Sequence, residues 1–430
     1  MVKTDCTGSR AFRSVRRGLL AGVLGATMVV GCSSPGPPPS AALPPASAAP
    51  SSPGPSEPTG PTTAPVPGPS SPEPPTTSVP AAAPVPGCVP TDYLATLPLR
   101  QQLGQLLMVG VDSSGPGQVT DVVRQGVGGV FVGGNATGLL TSGALSRLDA
   151  QSPAGLGVMV AADEEGGRVQ RIDALDGSIP SARAMVQSGM SPAQVRQLAL
   201  TRGQQLRGYG ITVDFAPDTD VSAQASTTVI GDRSFSPDPQ VVTSYARAFA
   251  DGLRAAGVLP VLKHFPGHGA SSGDSHRGTV TTPALPALQQ RDLVPFRALV
   301  AESSPAGTGV MVGHLAVPGL TEPGLPASLS PAAVGLLRAG SGYGAPPFEG
   351  VVFSDDLAGM AAISDRFDVR EASLRALRAG SDVAVFITAT RLPAVLDYLE
   401  AAVADGRLPA AQVQQSLRRV VLAKQVPLCA

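Results

Sequence analysis

Short apolar runs recur eight times between residue 100 and the end of the chain, and segments with helical spacing separate them. The runs are continuous rather than alternating, which is typical of parallel strands buried on both faces. Segments 192–209, 239–256 and 369–379 have the spacing of helices that cross back between such strands. The runs span residues 105–111, 129–132, 157–162, 211–215, 258–263, 309–313, 350–354 and 382–387.

Eight such units predict an α/β fold, a (β/α)8 TIM barrel that residues 88–430 form as a single catalytic domain. A doubly wound open sheet would use the same alternation and stays open as an alternative. In a barrel, the carboxyl ends of the strands meet at one mouth, where catalytic residues lie. The polar residues that follow the runs are candidates for this mouth: Asp163, Asp218, Lys263, His264, His314 and Asp355.

The first 31 residues have the layout of a secretory signal peptide. Five basic residues precede Gly18, and residues 18–31 are uncharged but too few to span a bilayer well. Residues 29–32, Val-Val-Gly-Cys, resemble the bacterial lipobox, which implies cleavage before Cys32 and lipid on its sulfur. An ordinary secretory signal is the alternative, and Sec or twin-arginine export stays open. We expect an extracytoplasmic protein, lipid-anchored to the cell membrane on its cell-wall side.

Residues 33–87 lack the means to build a core. They contain 20 of the 44 prolines of the chain, no aromatic residue, and only Glu57 and Glu73 as charges. We therefore predict that residues 32–87 are the lipidated cysteine followed by a disordered linker. In an oxidising compartment disulfides persist, so we predict that Cys88 and Cys429 pair, with two unpaired buried thiols as the alternative.

The overall charge and the aromatic content exclude one class of partner. A formal net charge of −1 leaves no basic surface for nucleic acid, and the chain has no Trp and only 4% aromatic residues. We predict no nucleic-acid partner and a monomer. Without Trp as a stacking platform, a ligand would be held mainly by hydrogen bonds.

Three of the four histidines lie in one short segment, which reads Lys-His-Phe-Pro-Gly-His-Gly from residue 263 and Asp-Ser-His from residue 274. One interpretation is a metal site whose ligands are His264, His268, Asp274 and His276. The Pro-Gly pair at 266–267 forbids a helix there, so the first two histidines do not share a helical face. A purely structural loop is a second interpretation. We favour a third, in which Asp274 and His276 form a carboxylate–imidazole dyad that tunes a proton donor.

Two further segments carry candidate chemistry. Asp355 follows the seventh run, where a carboxylate points into the mouth and can attack an electrophile; capping the next helix is the alternative. Because adjacent residues face different ways, we expect only one of Asp355 and Asp356 to do chemistry. Residues 163–171 combine alternating charges with glycines, and we expect them to grip hydroxyl groups and to let the backbone approach a ligand. A solvated loop is the alternative.

Together these segments resemble the single-domain β-N-acetylhexosaminidases of glycoside hydrolase family 3. The family motif K-H-F-P-G-H-G, four residues and D-S-H is matched over 263–276, and the resemblance extends to D-x-E-G-G-R-V-Q-R at 163–171, G-D-R-S-F at 231–235 and S-D-D-L at 354–357. It implies a barrel without metal or cofactor. By the same resemblance, Asp355 is the nucleophile and His276 the general acid/base with Asp274 as its partner. The implied sugar-binding residues are Asp163, Arg171, Arg233, Lys263 and His264.

The resemblance implies a retaining enzyme that releases terminal β-linked N-acetylglucosamine through a covalent glycosyl–Asp355 intermediate. With the export signal, it predicts that the substrates are peptidoglycan fragments such as GlcNAc–MurNAc, in cell-wall turnover and recycling. Release of GlcNAc-1-phosphate by the same site is one alternative, and a non-catalytic sugar-binding lipoprotein is another. Family members often carry Gln where this chain has Glu164, a change that we do not expect to alter specificity.

Overall fold

The computed structural model describes residues 88–429. The signal peptide, Cys32 and the linker predicted for residues 1–87 lie outside the described residues. None of the helices in the described part has the length and hydrophobicity that a membrane span requires.

Eight parallel strands form a closed barrel. They are β1 Leu107–Val111, β2 Gly129–Val132, β3 Met159–Ala162, β4 Val213–Asp214, β5 Leu259–Phe265, β6 Gly309–Val312, β7 Val352–Ser354 and β8 Ala384–Phe386. Ladders connect neighbours from β1 to β7 in chain order and pair β8 with β1. A bridge between Phe353 and Val383 joins β7 to β8 and closes the ring. Closure excludes the open sheet and confirms the predicted (β/α)8 barrel.

The helices of the described part lie between these strands and at both ends of the domain. They are α1 Tyr93–Thr96, α2 Leu99–Gly104, α3 Gly117–Arg124, α4 Gly138–Thr141, α5 Asp173–Asp176, α6 Ala182–Gln187, α7 Pro192–Gly208, α8 Pro239–Ala255, α9 Leu285–Gln290, α10 Leu293–Ala301, α11 Pro331–Ala339, α12 Ala361–Ser364, α13 Val369–Ala379, α14 Leu392–Ala404 and α15 Ala410–Ala423. The three predicted crossover helices correspond to α7, α8 and α13, within one residue at each end.

Local sequence signals explain where the two longest of these helices begin and how they pack. Ser191 caps α7 in a capping box with Gln194, and Asp238 caps α8 by accepting the backbone N–H of Gln240. The two helices pack closely because α8 has Gly252 at the contact, where a Cβ would lie 2.4 Å from the carbonyl oxygen of Arg196.

An aromatic layer fills the barrel below its mouth. The Phe215 ring stacks on Phe131 at a centroid distance of 5.7 Å and meets the edge of Phe353 at 5.4 Å. Phe131 and Phe215 also form part of the floor of the cavity above them.

The chain termini of the domain are tied together at the base, where the strands begin. Cys88 and Cys429 form a disulfide with a Cα–Cα distance of 5.6 Å, and Val89–Pro90 pairs in parallel with Leu428–Cys429. Lys424 Nζ donates to the carbonyl of Gly157, just before β3, at 2.9 Å.

Several strands are shorter than the predicted runs, and one extends beyond its predicted end. The run predicted at 258–263 is strand β5, and it continues to Phe265. Lys263 and His264 therefore belong to the strand, where the sequence places them at its end. Two polar residues in succession obscured this extension, because both side chains are buried by partners that lie far away in sequence.

Candidate active site

A cavity of about 550 Å³ opens at the carboxyl ends of the strands. Seven of the eight residues proposed from the sequence for catalysis and sugar binding line it, and Asp274 contacts it through His276. The polar lining comprises Asp163, Glu165, Arg171, Arg233, Lys263, His264, His276, Asp355 and Asp356. The structure thus brings segments from 163 to 356 together at the mouth that the barrel predicts.

The loop after β3 presents Asp163 to the cavity. Its carboxylate lies 2.7 Å from Lys263 Nζ and 3.3 Å from Arg171 Nη2. The neighbouring Glu164 turns away from the cavity and accepts the backbone N–H groups of Arg171 and Ile172 at 2.6 and 3.2 Å. Glu164 therefore holds the backbone of the loop, and burial raises the pKa of its carboxyl group despite these two bonds.

Two glycines of these loops are required for packing within the protein. A Cβ on Gly166, whose φ is +93°, would lie 2.3 Å from the carbonyl oxygen of Pro180, and one on Gly267 would lie 2.4 Å from Cβ of Asp292. They are needed for packing of the loops against the protein itself. The expectation that the backbone of residues 163–171 approaches a ligand stays a prediction.

Glu165 is a site residue that the sequence reasoning missed. Its carboxylate receives two bonds from Arg233, Nε to Oε2 at 2.7 Å and Nη2 to Oε1 at 2.8 Å, and lies 2.5 Å from Lys263 Nζ. Burial alone would raise the pKa of Glu165, but the two cations outweigh it and hold that pKa well below its usual range. Two of the three sugar-binding cations proposed from the sequence, Arg233 and Lys263, are thus fixed in place by one buried anion.

His264 is bound to two carboxylates that follow the short strand β4. Its Nδ1 lies 2.7 Å from Asp220 Oδ2 and 4.0 Å from Asp218 Oδ2, and its Nε2 lies 3.4 Å from Arg233 Nη2. Burial and the charge of Arg233 lower the pKa of His264 to about 4. A neutral ring therefore donates its Nδ1 proton to Asp220 and turns Nε2 towards the cavity.

Within the described residues, the groups close enough to share a metal ion are Asp218, Asp220 and His264, whose ligand atoms lie within 4.8 Å of one another. The set considered from the sequence was different, because Asp274 and His276 do not join this cluster. Arg233 Nη2 lies 3.7 Å from Asp218 and already supplies a positive charge beside these carboxylates. Arg233 therefore already provides a positive charge where a metal ion bound by Asp218, Asp220 and His264 would lie.

The proposed acid/base dyad lies on the loop between β5 and Val280–Thr281. Nδ1 of His276 is 2.8 Å from Asp274 Oδ1, which also accepts the backbone N–H of His276 at 3.0 Å. Partial burial would raise the pKa of Asp274, but these two contacts lower it overall. The His276 side chain is 60% exposed and borders the cavity.

Asp355 follows β7 and lines the cavity, whereas Asp356 holds the turn. Asp355 Oδ1 accepts the backbone N–H of Asp356 at 2.8 Å. Burial would raise the pKa of Asp355, but His314, His264 and this N–H group lower it to about 2. Asp356 instead accepts the N–H groups of Ala358 and Gly359 at 3.0 and 2.8 Å. Neither aspartate caps the next helix, since α12 begins at Ala361 after Met360.

The other side of the cavity is apolar. Val111 of β1, Phe131 of β2 and Ile387, which directly follows β8, line this side, and Met360 comes from the turn after β7. Ile387 is 48% exposed, which is unusual among the large hydrophobic residues of the described part. The cavity therefore combines a charged side, suited to hydroxyl groups, with an apolar side suited to carbon-rich groups.

The chain matches known proteins over the whole barrel. The model of the glycosyl hydrolase family 3 N-terminal domain matches residues 98–423. Beta-hexosaminidase LpqI of Mycobacterium tuberculosis is 54% identical over 336 residues, which cover 78% of this chain and 85% of that protein.

The chain is also similar to solved structures of glycosyl hydrolases. A glycosyl hydrolase of family 3 from Mycobacterium smegmatis is 52% identical, with a TM-score of 0.73 over 77% of this chain and 98% of the other. A family 3 beta-N-acetylglucosaminidase from Paenibacillus sp. is 31% identical, with a TM-score of 0.69 over 77% of this chain and 62% of the other.

Proposed function

The chain belongs to glycosyl hydrolase family 3 and is a β-hexosaminidase, and on that premise we propose that it releases terminal β-linked N-acetylglucosamine from peptidoglycan fragments by a retaining double displacement. The observation that carries this proposal is the placement of two groups at one cavity. Asp355, whose pKa of about 2 keeps it ionised, lines the cavity together with His276, the proton-carrying member of a dyad. An anionic nucleophile and a separate proton donor are what a retaining glycosidase requires.

In the first step, the Asp355 carboxylate attacks the anomeric carbon and forms a glycosyl ester, while His276 transfers its Nε2 proton to the departing oxygen. Asp274 holds Nδ1 and so directs Nε2 to the substrate. In the second step, the neutral imidazole removes a proton from water, and the resulting hydroxide attacks the same carbon. The ester bond to Asp355 breaks, and the sugar leaves with its β configuration retained.

We propose that the charged side of the cavity binds the hydroxyl groups of the sugar. Asp163 offers acceptor oxygens, and Arg171, Arg233 and Lys263 offer N–H donors. The neutral His264 presents Nε2 beside Arg233. Three of these groups are held by Glu165 or Asp163 before any ligand arrives, which reduces the ordering that binding would otherwise require.

Charge pairing at the cavity supports water rather than phosphate as the acceptor in the second step. Among the described lining residues, Arg171, Arg233 and Lys263 all lie within 3.3 Å of a carboxylate oxygen. A phosphate dianion would meet these neutralised cations and the carboxylates of Asp355 and Asp356. Phosphorolysis remains the second candidate only because an imidazole base, unlike a carboxylate base, does not repel such an acceptor.

The cellular part of the proposal rests on the sequence of residues 1–87. The signal peptide, the lipobox-like Val-Val-Gly-Cys and the Pro-rich linker support lipid anchoring at Cys32 and access to cell-wall material. Metabolic labelling with a clickable fatty acid tests the anchor. Wild-type protein should carry the label and Cys32→Ala should not; label on the variant would contradict the proposal.

A single NMR experiment tests the chemistry. The purified protein is incubated with a GlcNAc–MurNAc disaccharide, with and without phosphate, and the first-formed anomer is recorded. We expect β-N-acetylglucosamine under both conditions, full loss of turnover in Asp355→Ala, and unchanged turnover in the exposed control Asp365→Asn. An initial α anomer would exclude the double displacement, and a sugar 1-phosphate would establish the phosphorylase. Full activity of Asp355→Ala would remove the assigned nucleophile.

A further inference from the structure

The loop that carries the dyad, residues 271–277, is held from below by the buried ring of His268. Nδ1 of His268 lies 2.7 Å from Oγ of Ser271, and Nε2 lies 3.3 Å from Oγ of Ser275. A neutral imidazole has one donor and one acceptor, and a hydroxyl group can serve as either, so both contacts can form at once. His268 and Ser275 are each 2% exposed, and water therefore does not compete for these bonds.

Ser275 is also bound to the segment that follows the nucleophile. Its carbonyl oxygen accepts the backbone N–H of Ala362 at 3.1 Å, and the carbonyl of His276 accepts that of Ala361 at 3.4 Å. These two N–H groups begin α12, a few residues after Asp355. Residues 275–276 are thus bound on one side to the His268 ring, through the Ser275 hydroxyl group, and on the other to the start of α12, through their carbonyl oxygens.

His268 is itself fixed to the sugar-binding side of the cavity. Its backbone N–H donates to Asp220 Oδ1 at 2.5 Å, and the other oxygen of Asp220 lies 2.7 Å from His264 Nδ1. The two imidazole rings meet edge to face at a centroid distance of 5.6 Å. A continuous set of contacts therefore runs from His264 through Asp220 and His268 to Ser275.

The side chains at the tip of the same loop have no comparable support, although the carbonyl of His276 is bound to Ala361. The side chains of His276 and Arg277 are 60% and 88% exposed. Within the described residues, the hydrogen-bond partner of the His276 ring is Asp274, which lies on the same loop. The dyad can orient the ring, but it cannot set the distance from the ring to the opposite wall of the cavity.

We infer that Ser275 and His268 are positioning residues, which hold the proton donor His276 at the correct distance from the sugar-binding residues. The inference rests on the proposed function, in which His276 protonates the leaving oxygen. It adds that this protonation depends on two buried side chains that do not touch the substrate. Loss of either side chain allows the loop to move away from the cavity, while Asp355 and the sugar-binding residues keep their positions.

The chemistry provides a selective test, since a misplaced acid slows only reactions that need it. An alkyl or sugar alkoxide must be protonated as it leaves, whereas 2,4-dinitrophenolate leaves unaided. We expect Ser275→Ala to lower kcat/KM for a poorly activated leaving group by about 10- to 100-fold, the scale of a misplacement near 1 Å. The same variant should leave kcat/KM for the dinitrophenyl glycoside unchanged.

Matched variants separate positioning from general damage. Ser303→Ala removes a hydroxyl group that bonds only to the carbonyl of Val300, remote from the cavity, and should change neither substrate. His268→Ala should reproduce the pattern of Ser275→Ala, with folding checked by thermal melting; if it fails to fold, Ser275→Ala decides alone. Equal losses on both substrates, or no loss on either, in Ser275→Ala would overturn the inference.

His276→Ala distinguishes the inference from the proposal beneath it. If His276→Ala loses activity only on the poorly activated substrate and Ser275→Ala does not, the positioning role is wrong and the acid role stands. If His276→Ala shows no dependence on the leaving group, the proposed acid is wrong, and the inference is overturned with it.

Discussion

Nδ1 of His276 lies 2.8 Å from Oδ1 of Asp274, an oxygen that also accepts the backbone N–H of His276. The carboxylate therefore fixes both the orientation of the ring and the nitrogen that carries the outward proton. The negative charge of Asp274 stabilises the imidazolium, which is the proton-donating form of the His276 ring. In the proposed mechanism the two residues act as one acid, although only His276 borders the cavity.

Asp274→Asn should weaken that acid without disturbing the nucleophile. An amide keeps the shape but loses the charge that favours the imidazolium, so we expect kcat/KM for a poorly activated glycoside to fall on the order of 10²-fold. The dinitrophenyl glycoside should react at the wild-type rate. Steady-state kinetics on the two substrates checks this, and an equal loss on both would show that Asp274 supports the loop rather than the acid.

The low pKa of Asp355 predicts how the rate depends on pH. With a pKa of about 2, the carboxylate stays ionised as the pH falls and loses its charge only near that value. For the dinitrophenyl glycoside, which needs only the nucleophile, kcat/KM should be flat between about pH 5 and pH 9. A fall near pH 5 that Asp355→Glu shifts would contradict the low pKa.

Glu165→Gln should weaken sugar binding. With an amide in place of the buried carboxylate, Arg233 keeps at most one of its two short bonds, and Lys263 loses one of two anionic partners. Charged hydrogen bonds of this kind are each worth roughly 1.5–3 kcal/mol, so we expect the Kd for N-acetylglucosamine to rise by about 10- to 100-fold. Calorimetric titration measures it. Glu302→Gln is the control, because it breaks an equally short pair with Arg247 on the exposed surface.

Asp382→Asn should reduce stability while preserving the activity. Asp382 is fully buried where β7 and β8 begin, and its carboxylate binds Arg338 and accepts the N–H of Val352 and the hydroxyl of Ser416 at 2.9 Å each. Removing one partner of a buried ion pair costs about 3–5 kcal/mol of unfolding free energy. Urea denaturation gives this value, and kcat should be unchanged because the mouth is at the other end.

A surface pair provides the comparison for that experiment. Asp397 is 70% exposed and lies 2.7 Å from Arg100. Asp397→Asn should change the unfolding free energy by less than about 1 kcal/mol. If both variants lose the same amount, burial of the Asp382 network does not have the effect that we assign to it.

The sequence predicts the strands well because each one is a local apolar run. It does not decide between a closed barrel and an open sheet, since closure depends on the pairing of the last strand with the first, where Ala384 lies beside Leu107, a long-range register that no local pattern encodes. The end of β5 is misplaced for a related reason. Lys263 is buried by Asp163 and Glu165, a hundred residues earlier, and its charge alone indicates a strand end.

The sequence predicts the motif residues of the candidate site but not the buried carboxylates that hold them. Asp355, His276 and the sugar-binding residues stand in motifs, and the structure brings them to one cavity. Glu165 and Asp220 were not singled out, because a carboxylate in a charged or loop segment is more often solvated than buried. Their importance follows from what they bind, Arg233 and His264, and these partners become neighbours only when the barrel closes.

The disulfide between Cys88 and Cys429 has a mechanical consequence. A force applied at Cys88 is shared between the backbone of Val89–Pro90 and the bridge to Cys429, and the two segments are also paired with each other. From there Lys424 and Ser416 distribute the force to the base of the barrel through Gly157 and Asp382. We expect tension on a tether to leave the mouth undistorted, so that the enzyme works equally well slack or stretched.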